Sequence, residues 1–104
     1  MSTPRNNMRP IHPGEVLREE YLVPLGMSAN ALAHALDVPA NRVSSIVAGD
    51  RSVTADTALR LGRAFGTTPE FWLNMQQSYD LRVAELAASA TDLRHVRRVV
   101  TVQR

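Results

Sequence analysis

The sequence predicts an all-α fold of five short helices, and three observations predict it. Apolar residues recur three and four positions apart in five successive segments, the spacing that lines one face of a helix. Most segments open on a Pro, Ser or Thr start signal and close on a Gly or Asp stop. Strand-like runs are missing until the last ten residues. A chain of 104 residues suits one domain with a modest core, and neither a linker nor an internal repeat divides it. The expected organisation is a flexible arm over residues 1–8, a helical body over 9–90 and a basic tail over 91–104.

The first helix opens in "HPGEVLREEYL", where Pro13 is pre-organised for a first helical position and Glu15 suits the positive helix start. Val16, Leu17 and Tyr21, with Leu22 or Leu25 beyond, form its inner stripe, and Pro24 with Gly26 should stop it. Ser28 caps the second helix, whose apolar positions are Leu32, Ala33 and Leu36. Asp37 falls where the chain reverses, a place that asks for a left-handed backbone, which aspartate tolerates better than most residues. Pro39 starts the third helix, with Val43, Ile46 and Val47 inward, Asn41, Arg42, Ser44 and Ser45 on other faces, and Gly49 as its end. Thr54 caps the fourth, which carries Ala58, Leu59, Leu61 and Phe65 and stops at Gly66; Gly62 within it leaves room for a neighbouring helix to come close. The fifth starts at Thr68 and Pro69 with Glu70, and its pattern of Phe71, Trp72, Met75, Tyr79, Val83 and Leu86 extends to about residue 90.

Composition removes several function classes. There is no cysteine, so disulfides, thiolate metal sites and a cysteine nucleophile are excluded. No apolar run approaches a membrane span and no leader is apparent, so a soluble, cytoplasmic protein with no membrane partner is expected. His12, His34 and His95 lie in separate segments without metal-ligand spacing, which argues against a metal or other cofactor; His12 caps or orients the first helix, and His34 lies on an exposed part of the second. Neither a nucleophile triad nor a phosphate loop nor a carboxylate pair is present, so no catalytic residue is assigned and the chain is not read as an enzyme. Adjacent Glu19 and Glu20 point in different directions on a helix. Phe71 and Trp72 suit a core better than a ligand pocket, with Trp72 sealing the first and fourth helices. All twelve basic residues are arginine, but the net charge of +2 does not predict nucleic-acid binding by itself. Arg5 and Arg9 in the arm and Arg94, Arg97, Arg98 and Arg104 in the tail are either solvated ends or phosphate contacts.

Two short helices, the second restarting within three residues of Asp37, form a tight angle, in which the first can brace the second and present its N-terminal residues to a DNA major groove. Residues 28–48 therefore read as a helix-turn-helix. The stretches "RPIHPGEVLREEYLVPLGMS" and "ALAHALDVPANRVSSIVAGDRSVTADTALRLGRAFGTTPEFWLNMQQSYDL", above all the pairing of "HPGE" with "PEFWLNMQ", resemble the HigA-type, VapI-like antitoxins of the Xre-family, lambda-repressor-like helix-turn-helix class. The resemblance implies a dimer that binds a palindromic operator in its own promoter and neutralises a cognate HigB-type toxin, a RelE-like ribonuclease that cleaves messenger RNA. It also implies the reading positions. Ala40, Asn41 and Ser45 face bases, with Arg42 close enough for a phosphate or base edge. Asn suits adenine and Arg suits guanine. The class often has a phosphate-touching Gln at the second position of the bracing helix; here that place is Ala29, so Asn30 or the Ser28 hydroxyl must substitute. Arg51, just past Gly49, is placed for backbone contact, or else is a loop arginine or a partner for Asp50 or Asp56.

Surplus apolar surface on the fifth helix, at Tyr79, Leu81, Val83 and Leu86, points to a dimer interface. The tail "DLRHVRRVVTVQR" reads equally as helix or strand, and it either pairs across the dimer, contacts toxin or stays disordered. Two other functions fit the same fold: a free-standing regulator with no toxin, and a protein-interaction module that has lost DNA affinity, which Ala29, Ala40 and the low charge would suit.

Overall fold

A computed structural model describes residues 9–88 and 93–100; the expected arm at 1–8 and the end of the tail lie outside the described residues. Among those residues there are five helices and no strand. Helix α1 comprises α-helical Pro13–Val16, π-helical Leu17–Leu22 and a last turn Val23–Leu25. It is followed by α2 at Ala29–Leu36, α3 at Ala40–Val47, α4 at Ala55–Phe65 and α5 at Pro69–Ala87. Among the described tail residues, 93–100, one helical turn is seen, at 93–94.

The start signals act as read. Ser28, Thr54 and Thr68 each accept a first-turn N–H, from Ala31, Thr57 and Phe71 respectively, satisfying donors that a helix start leaves open. Asp37 is the one non-glycine residue with a positive φ among those described (60°). It ends α2 with two backward bonds, Asp37 N–H to the His34 carbonyl and Val38 N–H to the Ala33 carbonyl, at 3.1 and 3.0 Å. This is the cap that lets a helix stop and the chain turn at once.

Three expectations change. Pro24 does not stop α1: the helix widens ahead of it, Val23 N–H bonding back to the Arg18 carbonyl five residues earlier, and the helix ends at left-handed Gly26. Proline lacks a donor and crowds the carbonyl four residues back, which a wider turn relieves. Five-residue bonding also brings Leu17 and Leu22 onto one side, so both are buried while Leu25 is exposed. Pro39 is the extended cap residue before α3 and not its first helical residue. Leu59 is 60% exposed, because Thr57, Ala58, Leu61 and Gly62 fill the inward arc of α4 and a position two before Leu61 lies far around the helix from it.

The core joins Leu17 and Leu22 of α1, Leu32, Ala33 and Leu36 of α2, Val43 and Ile46 of α3, Val53, then Ala58 and Leu61 of α4 and Trp72 of α5. Trp72 is fully buried. Its ring packs among Tyr21, Phe65 and Phe71 at centroid distances of 5.4, 6.4 and 5.1 Å, and its indole N–H donates to Thr67 Oγ1 at 2.8 Å. A buried aromatic keeps its polar atom paired in this way. At Gly62 a Cβ would stand 2.8 Å from the Thr67 carbonyl oxygen, so glycine is what lets the α4–α5 link fold back over α4.

Candidate nucleic-acid interface

Helices α2 and α3 meet at the left-handed Asp37, and α3 lies with Val43 and Ile46 buried. Its opposite face is polar. Ala40, Asn41 and Ser44 are exposed, while Ser45 and Arg42 are half-buried along the flanks. Of the expected reading positions, Ala40 and Asn41 therefore stand outward and Ser45 is partly covered, while Ser44, expected off the core face but given no reading role, is outward as well. The signal for Ser44 was its spacing four residues after Ala40, on the same face.

Unlike α2, α3 has no side-chain cap at its start, so the N–H groups of its first turn are free of side-chain partners and point toward the exposed end, as at anion-binding helix starts. Ser28 and Asn30 are exposed at the start of α2 and Ala29 is partly covered. The Ser28 oxygen accepts from Ala31 N–H at 3.0 Å, which leaves its hydroxyl proton able to donate outward. Arg51 is exposed just beyond α3. Asp56 is not its partner, because that carboxylate binds Arg42 and Arg60.

Arg42 is not displayed as a free reading side chain. Its Nη1 lies 2.5 Å from Asp56 Oδ2, and Arg60 Nε reaches the same oxygen at 3.0 Å. Hydrogen bonds from Arg60 and then from Arg42 hold the Asp56 carboxyl below the usual carboxylate range, so it is charged throughout the neutral range.

Two anchors behind α3 fix its placement. A Cβ on Gly14 would lie 1.7 Å from the Ile46 carbonyl oxygen, so the start of α1 sits directly on the end of α3. His12, which caps α1, accepts from Gly14 N–H through Nδ1 at 2.8 Å. It also bonds the Arg51 backbone and meets the Tyr79 ring edge-on at 4.8 Å. Burial is the main reason its pKa is lowered; the Arg51 backbone and the Asp80 and Asp50 charges act the other way. Gln76 is the second anchor, buried four residues after Trp72. Its side-chain oxygen accepts from Val53 N–H at 2.8 Å and its amide donates to Asp80 at 2.9 Å, tying the loop after α3 to α5. In the sequence, the sign of this role is the place of Gln76 in "PEFWLNMQ", one turn beyond Trp72 on the inner face.

On α5 the expected interface residues divide. Leu81, Val83 and Leu86 are exposed, at 59, 39 and 58%, whereas Tyr79 is half-buried beside His12. At about 100° per residue, Tyr79, Val83 and Leu86 share one face and Leu81 points away from it, so the four do not form a single stripe. Phe71 is partly exposed and, with Ile11, Val16, Met75 and Tyr79, lines an open groove of about 630 Å³ between the N-terminal segment and α5. Among the described residues no group of His, Cys, Asp and Glu could hold a metal ion, and no helix is long and apolar enough to cross a membrane.

A bracing helix, a left-handed turn and a second helix with its polar face outward define a helix-turn-helix domain, and the helix-turn-helix family pattern matches residues 17–72. Virulence-associated protein I of Dichelobacter nodosus is 59% identical over 87 residues, covering 82% of this chain and 81% of that protein. The antitoxin HigA-1 of Vibrio cholerae is 44% identical over 77 residues, covering 74 and 72%. The Pseudomonas aeruginosa antitoxin HigA, solved with the higBA promoter, superimposes with a TM-score of 0.83 at 43% identity, over 88% of this chain and all of that one. The chain belongs to the HigA family of antitoxins within the Xre-type helix-turn-helix class.

Proposed function

We propose that this chain is the antitoxin of a toxin–antitoxin pair. It binds operator DNA in its own promoter as a homodimer and neutralises a HigB-type, RelE-like toxin that cleaves messenger RNA. The observation that carries the DNA reading is the outward polar face of α3, uncapped at its start and locked from behind by Gly14, in a chain so similar to a HigA solved with its promoter. Asn41 is the first base reader, suited to the paired donor and acceptor of adenine, with Ser45 and Ser44 beside it and Ala40 offering apolar contact. Ser28, Asn30 and Arg51 flank α3 at its two ends and hold the phosphate backbone. The protomer contact is the Tyr79, Val83 and Leu86 face of α5, which also makes the helical body and α5 one functional unit.

The test is a salt titration of binding to the gene's own upstream fragment against a scrambled fragment of equal length. Specific binding that weakens steeply with salt is expected, since each phosphate contact releases a counterion. Equal, weak binding to both fragments would instead support the reading as a protein-interaction module. Co-purification of a small RelE-like partner that loses its messenger cleavage in the complex separates an antitoxin from a free-standing regulator.

A further inference from the structure

We propose that Asp56 is a positioning residue for operator recognition: one carboxylate oxygen ties the recognition helix, the turn and α4 together, and thereby sets the angle at which α3 presents Asn41. This rests on the operator reading above. Asp56 lies in the first turn of α4, outside the helix-turn-helix itself. Its Oδ2 takes Arg42 Nη1 from the first turn of α3 and Arg60 Nε from one turn further along α4. Arg60 then spends its other arm on the turn, its Nη1 donating to the Leu36 carbonyl at 2.9 Å and to the Asp37 carbonyl at 3.4 Å. Those carbonyls are among the ones a helix end leaves without partners, and a cation there also suits the negative end of α2.

The chain of contacts thus runs from α3 through Asp56 and Arg60 to the end of α2. Arg42 directly follows Asn41, so rotation of α3 about its axis moves both together. Exposed ion pairs contribute little to stability, and Asp56 and Arg60 have side chains 52 and 38% exposed. The network's consequence is orientation. Arg42 serves in it as the handle by which α3 is held, and Asn41 reads.

The sign of one substitution separates this from simple charge repulsion. Asp56→Asn removes a negative charge beside DNA, which on electrostatic grounds alone tightens binding to any fragment. Positioning predicts that operator binding weakens while scrambled-fragment binding stays level or rises. The expected result is a fall of roughly tenfold in the ratio of the two affinities, the scale of one misplaced base contact. Asp56→Glu, which keeps the charge within reach of both arginines, should restore most of it. Both variants are to be measured where circular dichroism shows them as helical as the parent. An unchanged ratio in Asp56→Asn, or tighter operator binding with the ratio kept, overturns the proposal while leaving the operator reading intact. A parent protein that binds both fragments equally overturns the operator reading itself, and with it any specificity for Asp56 to set.

Discussion

At the scale of single residues, His12 carries more of the design than its place near the start of the chain suggests. Its ring touches three elements at once: Gly14 N–H at the start of α1, the Arg51 backbone after α3, and Tyr79 on α5. The bond from Gly14 ends on Nδ1, which must be unprotonated to accept it, and the ring is buried. Folding therefore favours neutral His12, and its pKa in the folded chain is lowered, chiefly by burial. Below the ordinary histidine value of about 6.5 the unfolded chain binds more protons than the folded one. The stability that His12 contributes is thus present above that pH and is lost as the pH falls from there through the folded value. Urea unfolding midpoints should decline from pH 7.5 to 5.5. His12→Asn keeps an acceptor at the cap but has no proton to gain, so its unfolding free energy should be lower at pH 7.5, by about 1–2 kcal/mol, and its midpoint flat across the same interval. A parallel decline in both proteins would assign the pH dependence elsewhere. Glu15 and Asp56 do not confuse the interval. Their pKa values are lowered by hydrogen bonds from Arg9 and Arg60 respectively, so their contributions are present above the ordinary carboxylate range and are lost only at lower pH.

At the scale of elements, the contact between α1 and α3 decides how the recognition helix is seated. Gly14→Ala places a methyl group 1.7 Å from the Ile46 carbonyl oxygen, backbone that cannot step aside as a side chain would. Overpacking of this kind costs about 1–3 kcal/mol, and the upper end is expected here. Either α3 is displaced or the α1 cap opens, so operator affinity should fall by more than the stability loss alone explains. Denaturation together with binding measured on the folded protein checks both; a fully stable Gly14→Ala would show the contact to be slack. Sequence patterning made the five helices, their Ser and Thr caps and the left-handed turn at Asp37 legible, because these are local properties read from spacing and residue type. What it did not show were contacts between elements distant along the chain. The Gly14–Ile46 approach, the Gln76 bond to Val53 and the Arg42–Asp56–Arg60 network each join residues whose relation exists only once the helices have packed. Pro24 misled for a different reason: a rule that holds for regular α-helix was evaded by a widened turn. Arg42, an arginine at the right place on α3, gave no sign in the sequence of its acid partner fourteen residues away.

At the scale of the whole molecule, the chain is longer than its core. Buried residues of α5 end at Gln76, although the helix continues to Ala87, and eleven further residues span about 16 Å at 1.5 Å each. The described chain accordingly measures 51 × 26 × 25 Å with a radius of gyration of 17.0 Å, against about 13 Å for a compact chain of some 100 residues. The projecting segment displays Val83 and Leu86, and the tail beyond it displays Leu93, Val96, Val99 and Val100, all exposed. Apolar side chains gathered on a projecting helix suit a two-fold contact, and a two-fold dimer would offer two recognition helices to half-sites about 34 Å apart. Leu86→Glu and Val83→Glu should each convert the protein to a monomer in sedimentation experiments. Because neither residue is buried within the protomer, thermal stability of the monomer fold should change by no more than about 0.5 kcal/mol. Operator affinity should nevertheless drop by tenfold or more on the scale set by losing one half-site, roughly 1.4 kcal/mol or above. Leu81→Glu is the matched control. It adds the same charge to the same helix on the opposite face, so it should leave the dimer and its operator binding intact. Dissociation by Leu81→Glu with persistence of the Leu86→Glu dimer would place the contact on the other side of α5, and a half-site geometry built on the Val83 face would have to be abandoned.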